Sequence, residues 1–188
     1  RFMVGVAGFT FGVAVGVPAA FLLDTGAAHA AGKDVVMSPW VTISTDGIVT
    51  IMSPAAEMGQ GSLTSLPLIL AEELDADWSK VKIVPAPPNE KVYGNPGFGG
   101  IMYTAGSFTV NGYFKALRTF GAQVRLVLLE NAARHWNVPL AELATLPGVV
   151  LHEKSGRRLT YGEIVAFAEI PAKAPEIMPD QLKKTSDF

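Results

Sequence analysis

Apolar positions along the chain change period several times, and each change marks a predicted element. Trp40 to Ser53, "WVTISTDGIVTIMS", alternates apolar and polar residues on both sides of Asp46-Gly47. An Asp-Gly pair between alternating runs predicts a β-hairpin. From Leu63 to Trp78 the period lengthens: Leu63, Leu66, Leu70 and Leu74 recur at three- and four-residue spacing, which predicts a helix. Pro67 lacks an N–H and suits only a first turn, so the helix is expected to begin near Ser65. Val81 to Val84 predicts a short strand ended by prolines, and Asn89 to Gly106 a glycine-rich loop. Asn111 to Trp136 predicts the longest helix, with Tyr113, Leu117, Val124, Leu128 and Ala132 on its core side. Val138 to Leu146 reads as a short helical or irregular link. Gly148 to Glu153 and Arg157 to Thr160 form a second hairpin pattern. Thr160 and Glu163 have capping-box spacing for a helix reaching about Ala168.

The ends of the chain differ from this body. Phe2 to Leu23 carries no charged residue, and as a helix it would reach ~33 Å at ~1.5 Å per residue, enough for a bilayer. Arg1 precedes it, and Ala28-His29-Ala30 resembles an export-signal cleavage site. Residues 1–30 are therefore expected to be an export signal or retained membrane anchor. Gly8, Gly12 and Gly16 offer a helix-packing groove if it is retained. Residues 31–39 read as a linker, 40–170 as the main domain and 171–188 as an extended tail. The fold class expected is α+β: a small mixed sheet with packed helices, preceded by a transmembrane-type helix.

Composition narrows the chemistry. The net charge of −2 gives no basic field for nucleic acid. The chain has no cysteine, so it holds no disulfide, thiolate nucleophile or iron–sulfur ligand. His29, His135 and His152 are far apart and show no zinc spacing. No metal ligand and no catalytic residue is assigned.

Two glycine-containing loops each open a helix: "AAEMGQGSLT" over 55–64, and Ala105-Gly106-Ser107-Phe108-Thr109. Helix amino termini expose unpaired N–H groups, and glycine lets a ligand approach the backbone. Gln60 carries donors and an acceptor for a heterocycle; Ser62, Ser107 and Thr109 carry hydroxyls for phosphate. The same residues serve equally as turns and caps, with Met58 in the core and Glu57 as a solvated charge. The loops lack the lysine of a P-loop and the third glycine of the dinucleotide fingerprint.

The segments "AEMGQGSLTSLPLILAEELDADWSKVKIVPAP" and "FGGIMYTAGSFTVNGYFKALRTFGAQVRLVLLENAA" together resemble the molybdopterin-binding subunit of the xanthine oxidase family, in its isoquinoline 1-oxidoreductase and aldehyde dehydrogenase branch. The resemblance covers about residues 40–188. It implies that Met58, Gly59, Gln60 and Gly61, and Ala105, Gly106, Ser107, Phe108 and Thr109, contact the cofactor. That cofactor is expected to be molybdopterin cytosine dinucleotide with molybdenum, shared with the rest of the subunit. Relatives often have a smaller residue where Phe108 stands. Family subunits are several times longer and carry a glutamate base outside this segment. The resemblance also implies hydroxylation of an aldehyde or N-heterocycle with water-derived oxygen. The implied partners are the remaining molybdenum-subunit polypeptide, a [2Fe–2S] subunit and a haem-bearing membrane cytochrome c. The implied location is the periplasmic face of the inner membrane, or the soluble periplasm after cleavage near Ala30. The rival expectation is an exported, anchored assembly or binding module without catalytic activity.

Overall fold

A computed structural model describes residues 32–187; the predicted export or anchor segment at 1–30 lies outside the described residues. Four strands form the first sheet: β1 (Asp34–Ser38), β2 (Val41–Ser44), β3 (Val49–Ser53) and β4 (Val81–Pro85), in that spatial order. β1 and β3 each pair antiparallel with β2, while β4 lies parallel to β3, with Ile51 opposite Ile83. The sheet is mixed, as expected. Gly47 makes the hairpin turn at φ +90°, and the Asp46 carboxylate accepts the Ile48 N–H. Alternation then places Val41, Ile43, Val49 and Ile51 in the core.

β1 replaces the linker expected over 31–39. Its short apolar run lacks a periodic signature of its own, and its pairing is dictated by β2. Met37 is buried with Trp40 in the same cluster.

α1 (Ser62–Leu74) buries Leu66, Leu70 and Leu74. It starts earlier than Pro67 suggested, because its first turn has other acceptors. The N–H groups of Thr64 and Ser65 donate to the Gly61 carbonyl, and that of Leu63 to the Glu57 carboxylate. It ends before Trp78, at Asp75, whose left-handed backbone (φ 56°) turns N–H groups back onto the last carbonyls. The segment expected to be a loop at 89–106 holds α2 (Glu90–Tyr93) and a 3₁₀ turn at Pro96–Phe98, and Asn95 bridges to Ile101. α3 (Thr109–Trp136) buries all five residues expected on its core side.

α1 and α3 cross at Gly121. A Cβ there would come within 2.5 Å of the Leu70 carbonyl oxygen and 2.9 Å of the Glu73 Cβ. Glu73, 0% exposed, sits beside this contact. Its carboxylate accepts from Arg118 Nε at 2.9 Å, an Arg125 guanidinium nitrogen at 3.2 Å and the Lys183 backbone N–H at 2.7 Å. A buried carboxylate is tolerated only with such partners. The tail, expected to be an extended arm, is therefore fastened across the helix pair. Lys183 Nζ also reaches Asp75 and Glu72, and Arg125 reaches the Gln181 carbonyl.

A second sheet, of β5 (Leu143–Leu146), β6 (Val149–His152) and β7 (Arg157–Thr160), is antiparallel in that order. The β6–β7 hairpin matches the sequence reading; the link expected as short helical or irregular at 138–146 holds a 3₁₀ turn at Leu140–Glu142, as read, and then β5. The capping box of Thr160 and Glu163 opens α4 (Tyr161–Val165), which ends before Ala168. The Tyr161 hydroxyl donates to the Leu74 carbonyl at 2.7 Å and so ties α4 to the end of α1. Among the described residues, no helix is long and apolar enough to cross a membrane.

Two substitutions test this crossing. Gly121→Val forces the helices apart and is expected to cost about 1–3 kcal/mol. Glu73→Ala removes the acceptor shared by Arg118, Arg125 and the Lys183 N–H and is expected to cost about 3 kcal/mol. Both are measured as shifts of the urea unfolding midpoint.

Candidate functional site

Parallel pairing of β3 and β4 puts both of their carboxyl ends at one edge of the sheet, with α1 as the crossover. In sheets with parallel strands, ligands bind in the crevice outside those ends. A groove of about 470 Å³ opens there, lined by Ser53, Ala55, Ala56 and Met58 on one side and Pro85, Ala86, Met102 and Thr104 on the other. Ser53 is 2% exposed, and its hydroxyl has no hydrogen-bond partner.

Both glycine loops lie at this end of the molecule. Contacts between α1 and α3 advance together along both helices, from Leu68 with Phe114 around one groove to Asp75 with Arg125 at 3.7 Å. The helices therefore run in the same direction, and their amino termini share an end. Upstream of both, the Ala56 N–H donates to Thr104 Oγ1 at 3.2 Å. This bond joins the first loop to the segment that enters the second.

The first loop is closed on itself. Gly59 (φ +98°) and Gly61 (φ +82°) adopt left-handed backbone that turns their N–H groups inward. Glu57 Oε1 accepts both, at 2.7 and 2.9 Å, and Oε2 accepts the Leu63 N–H at 2.8 Å. The amino terminus of α1 thus holds a carboxylate of the same chain. The Leu63 and Gly61 amides, assisted by Gly59, hold the Glu57 carboxyl below the ordinary carboxylate range. Glu57, read from sequence as a solvated charge, is the anchor of the loop. The amides around Gly59 and Gly61, expected to face a ligand, face Glu57 instead.

Gln60 braces the same loop. Its Oε1 accepts the Met58 N–H at 2.6 Å, and its Nε2 donates to the Ala56 carbonyl at 2.6 Å and to Ser62 Oγ. Met58, expected by default in the core, is 72% exposed at the groove.

The second loop closes a backbone turn, the Phe108 N–H donating to the Ala105 carbonyl at 3.2 Å, but holds no carboxylate of its own. Gly106 (φ +62°) and Ser107 (φ +57°) are successive left-handed residues, a concave arrangement of backbone N–H groups. α3 begins with no side-chain cap and no acidic residue in its first turn. Ser107 is exposed and Thr109 buried. Phe108 is part of a small aromatic cluster: it meets Phe98 edge-on at 5.6 Å, and Phe98 meets Tyr103 at 5.3 Å. A Cβ at Gly97 would lie 2.3 Å from the Phe108 ring, so this glycine makes room for the ring. The strand-to-loop echo of the sequence is complete only in the first loop; before the second there is a single bridge, Asn95 to Ile101.

The two described histidines stay out of this site. His135 stacks on Phe167 at 4.3 Å, and buried His152 lies between Glu142 and Ser155. Among the described residues, no group of His, Cys, Asp and Glu is arranged for a metal ion. Ser53 and Thr104 were missed by sequence reasoning, because nothing local distinguishes them before β3 and β4 are paired. Glu57 had one signal: its position just ahead of two glycines that open a helix.

Comparison with known proteins places the chain. The family profile of the molybdopterin cofactor-binding domain matches residues 3–187. The isoquinoline 1-oxidoreductase subunit beta of Brevundimonas diminuta is 47% identical over 174 residues, covering 93% of this chain and 22% of that protein. The membrane-bound aldehyde dehydrogenase [pyrroloquinoline-quinone] of Gluconacetobacter polyoxogenes is 33% identical over 127 residues, covering 68% of this chain and 15% of that one. This chain therefore spans about a fifth or less of the curated relatives it matches. The crystal structure of quinoline 2-oxidoreductase from Pseudomonas putida 86 superposes with a TM-score of 0.50 at 24% identity, covering 66% of this chain and 15% of that chain, which bears on the fold alone. With its two helix-opening loops at one edge of a mixed sheet, the chain belongs to the molybdopterin cofactor-binding domain family.

Proposed function

We propose that this chain supplies part of the cofactor site of a molybdenum hydroxylase, one that oxidises an aldehyde or an N-heterocycle with water-derived oxygen. The observation that carries this reading is the Ala56–Thr104 hydrogen bond, which ties the first helix-opening loop, on the lining of the groove, to the segment that enters the second, in a member of this family. The relatives' names support the substrate classes: one is an isoquinoline oxidoreductase and another an aldehyde dehydrogenase.

The residues fit a flat, anionic, heterocyclic group. The groove offers apolar walls and one buried hydroxyl without a partner, Ser53. A Cβ at Gly59, Gly61, Gly99, Gly100 or Gly106 would meet nothing within 4 Å, so a ligand can approach the backbone there. The two loops divide the work. Glu57 already neutralises the amino terminus of α1, so an incoming phosphate is disfavoured at that point. Anionic parts of the cofactor fall to the start of α3, which has no side-chain cap, and where the exposed Ser107 adds a hydroxyl. The first loop acts as a preset wall, with Gln60 locking its shape and Met58 facing the ligand. We take the cofactor to be the cytosine dinucleotide form, bound by Met58, Gly59, Gln60 and Gly61 and by Ala105, Gly106, Ser107, Phe108 and Thr109. When bound, it supplies the two-electron oxidation; this chain positions it and limits its contact with water. The base, the [2Fe–2S] centres and a cytochrome belong to partner polypeptides in this proposal. Export and anchoring through residues 2–23 are part of it too, checked by amino-terminal sequencing: a start at Ala31 would show a cleaved leader.

Two measurements test the division of work. In the protein isolated with its co-purifying chains, Gln60→Ala with Ser107→Ala is expected to lower bound molybdenum and pterin at least several-fold. Unchanged occupancy favours the non-catalytic binding module. For Glu57, the folded-state pKa is lowered, so its hold on the loop is full above the ordinary glutamate range and is lost as pH falls through the lowered value. The Gly59, Gly61 and Leu63 amide resonances are expected to move together in a titration whose midpoint lies below an ordinary glutamate's. In Glu57→Gln that titration disappears, and exchange of the three amides speeds up by about three- to tenfold.

A further inference from the structure

Several exposed apolar side chains lie on the facing sides of α1 and α3. On α3, Val110, Phe114 and Arg118 recur every four residues and share a face; on α1, Leu68 and Glu72 do the same. Between these faces runs a groove of about 250 Å³ lined by Leu68, Ile69, Glu72, Phe114 and Arg118. Its walls are almost wholly apolar. Leu68 is 45% exposed and Phe114 43%. The Arg118 guanidinium lies 5.7 Å from the Phe114 ring centroid and closes one side of the groove. A lone exposed leucine needs no explanation, but a continuous apolar groove beside a candidate active site marks an interaction surface.

Three observations bear on what covers it. The first is length: the isoquinoline oxidoreductase relative is matched over only 22% of its sequence, so in that protein most of the polypeptide lies outside the matched part. The second is the path of the tail. Arg118 donates to the Lys183 carbonyl, and Lys183 Nζ bonds the Glu72 carboxylate at 2.9 Å, so the last described residues run past the rim of this groove. The third is continuity. The apolar face of α3 begins at Val110, directly after Phe108 and Thr109 of the second loop.

We propose that this groove receives an apolar segment of the remaining part of the molybdopterin-binding polypeptide, with aliphatic or aromatic side chains inserted between Leu68 and Phe114. Docking there covers the side of α3 next to the second loop and excludes water from that flank of the cofactor site. The inference goes beyond the proposed function and rests on family membership, not on the reaction.

The absence of cysteine from this chain makes the test direct. Leu68→Cys and Phe114→Cys are introduced singly into the full-length protein, purified with its co-purifying chains, beside Met178→Cys as an exposed control (Met178 is 60% exposed). Labelling at 68 and 114 by a maleimide is expected to be at least about tenfold slower than at 178; comparable rates overturn the proposal. In parallel, p-benzoylphenylalanine at 68 or 114 is photolysed and the cross-linked peptide sequenced. A peptide from the remaining molybdopterin-binding polypeptide supports the proposal. A peptide from a different subunit or a second copy of this chain, a lipid adduct, or no cross-link overturns it. Molybdenum and pterin are assayed on the same preparations. Open thiols with full cofactor content overturn the docking alone; protected thiols without cofactor leave the docking standing and count against the proposed function.

Discussion

The contact between α1 and α3 at Gly121 governs where the functional loops lie. Each helix begins at one of the two glycine loops, so the offset between the helices sets the offset between the loops. Gly121 fixes the depth of the crossing, since no side chain fits between it and the Leu70 carbonyl. The Glu73 carboxylate fixes the register, since it bonds Arg118 and Arg125 on α3 and also the tail backbone at Lys183. Apolar packing alone tolerates sliding by a helical turn; a buried carboxylate with three directional partners does not. Such a network contributes little net stability relative to apolar residues of the same shape. Its value here is positional: moving α3 by one turn would leave a charge unpaired and separate Thr104 from Ala56.

The two helix starts are alike in sequence and opposite in chemistry. Both follow glycine with left-handed backbone, yet one carries its own anion and the other has none. At α1 the Glu57 carboxylate makes three bonds to backbone N–H groups, and the resulting loop is stiff, with Gln60 bonded across it. At α3 the corresponding N–H groups meet no side-chain cap. In the proposed site, a stiff wall beside an uncapped helix start would suit a ligand with a flat ring at one end and phosphate at the other. Two identical helix starts would bind such a ligand in either orientation; an internal carboxylate at one of them would remove that ambiguity.

What could be read from the sequence follows from how local each interaction is. The core face of α3 and the Asp46-Gly47 hairpin are determined within a few residues of themselves, and both appear as expected. So does the capping box at Thr160 and Glu163, whose two partners are three residues apart. β1 and β5 are short strands defined by the strands beside them, and neither has enough alternation to announce itself. The start of α1 was placed too late because Pro67 dominates the local reading. The bonds that outweigh it come from Gly61 and Glu57. Met58 breaks the usual rule for methionine, being exposed because the loop turns it toward the groove. The resemblance of the two loop motifs named the family. The placement of Ser53 and Thr104 beside those loops needed the parallel pairing of β3 and β4.

The exposed apolar surface completes the logic of an unfinished site. A cofactor that is oxidised and reduced needs low water access around it, and in the proposed site the described residues provide walls on one side: the β3–β4 edge, the preset loop and the Phe98–Phe108 cluster. In that proposal the opposite wall comes from a further polypeptide segment. Of the side chains left exposed near the loops, Val110 shares a face of α3 with Phe114, which lines the groove against Leu68. A second polypeptide segment along that line would bury apolar area and close the site in the same step. Assembly and cofactor retention would then be coupled, since each covers surface that the other leaves costly to expose.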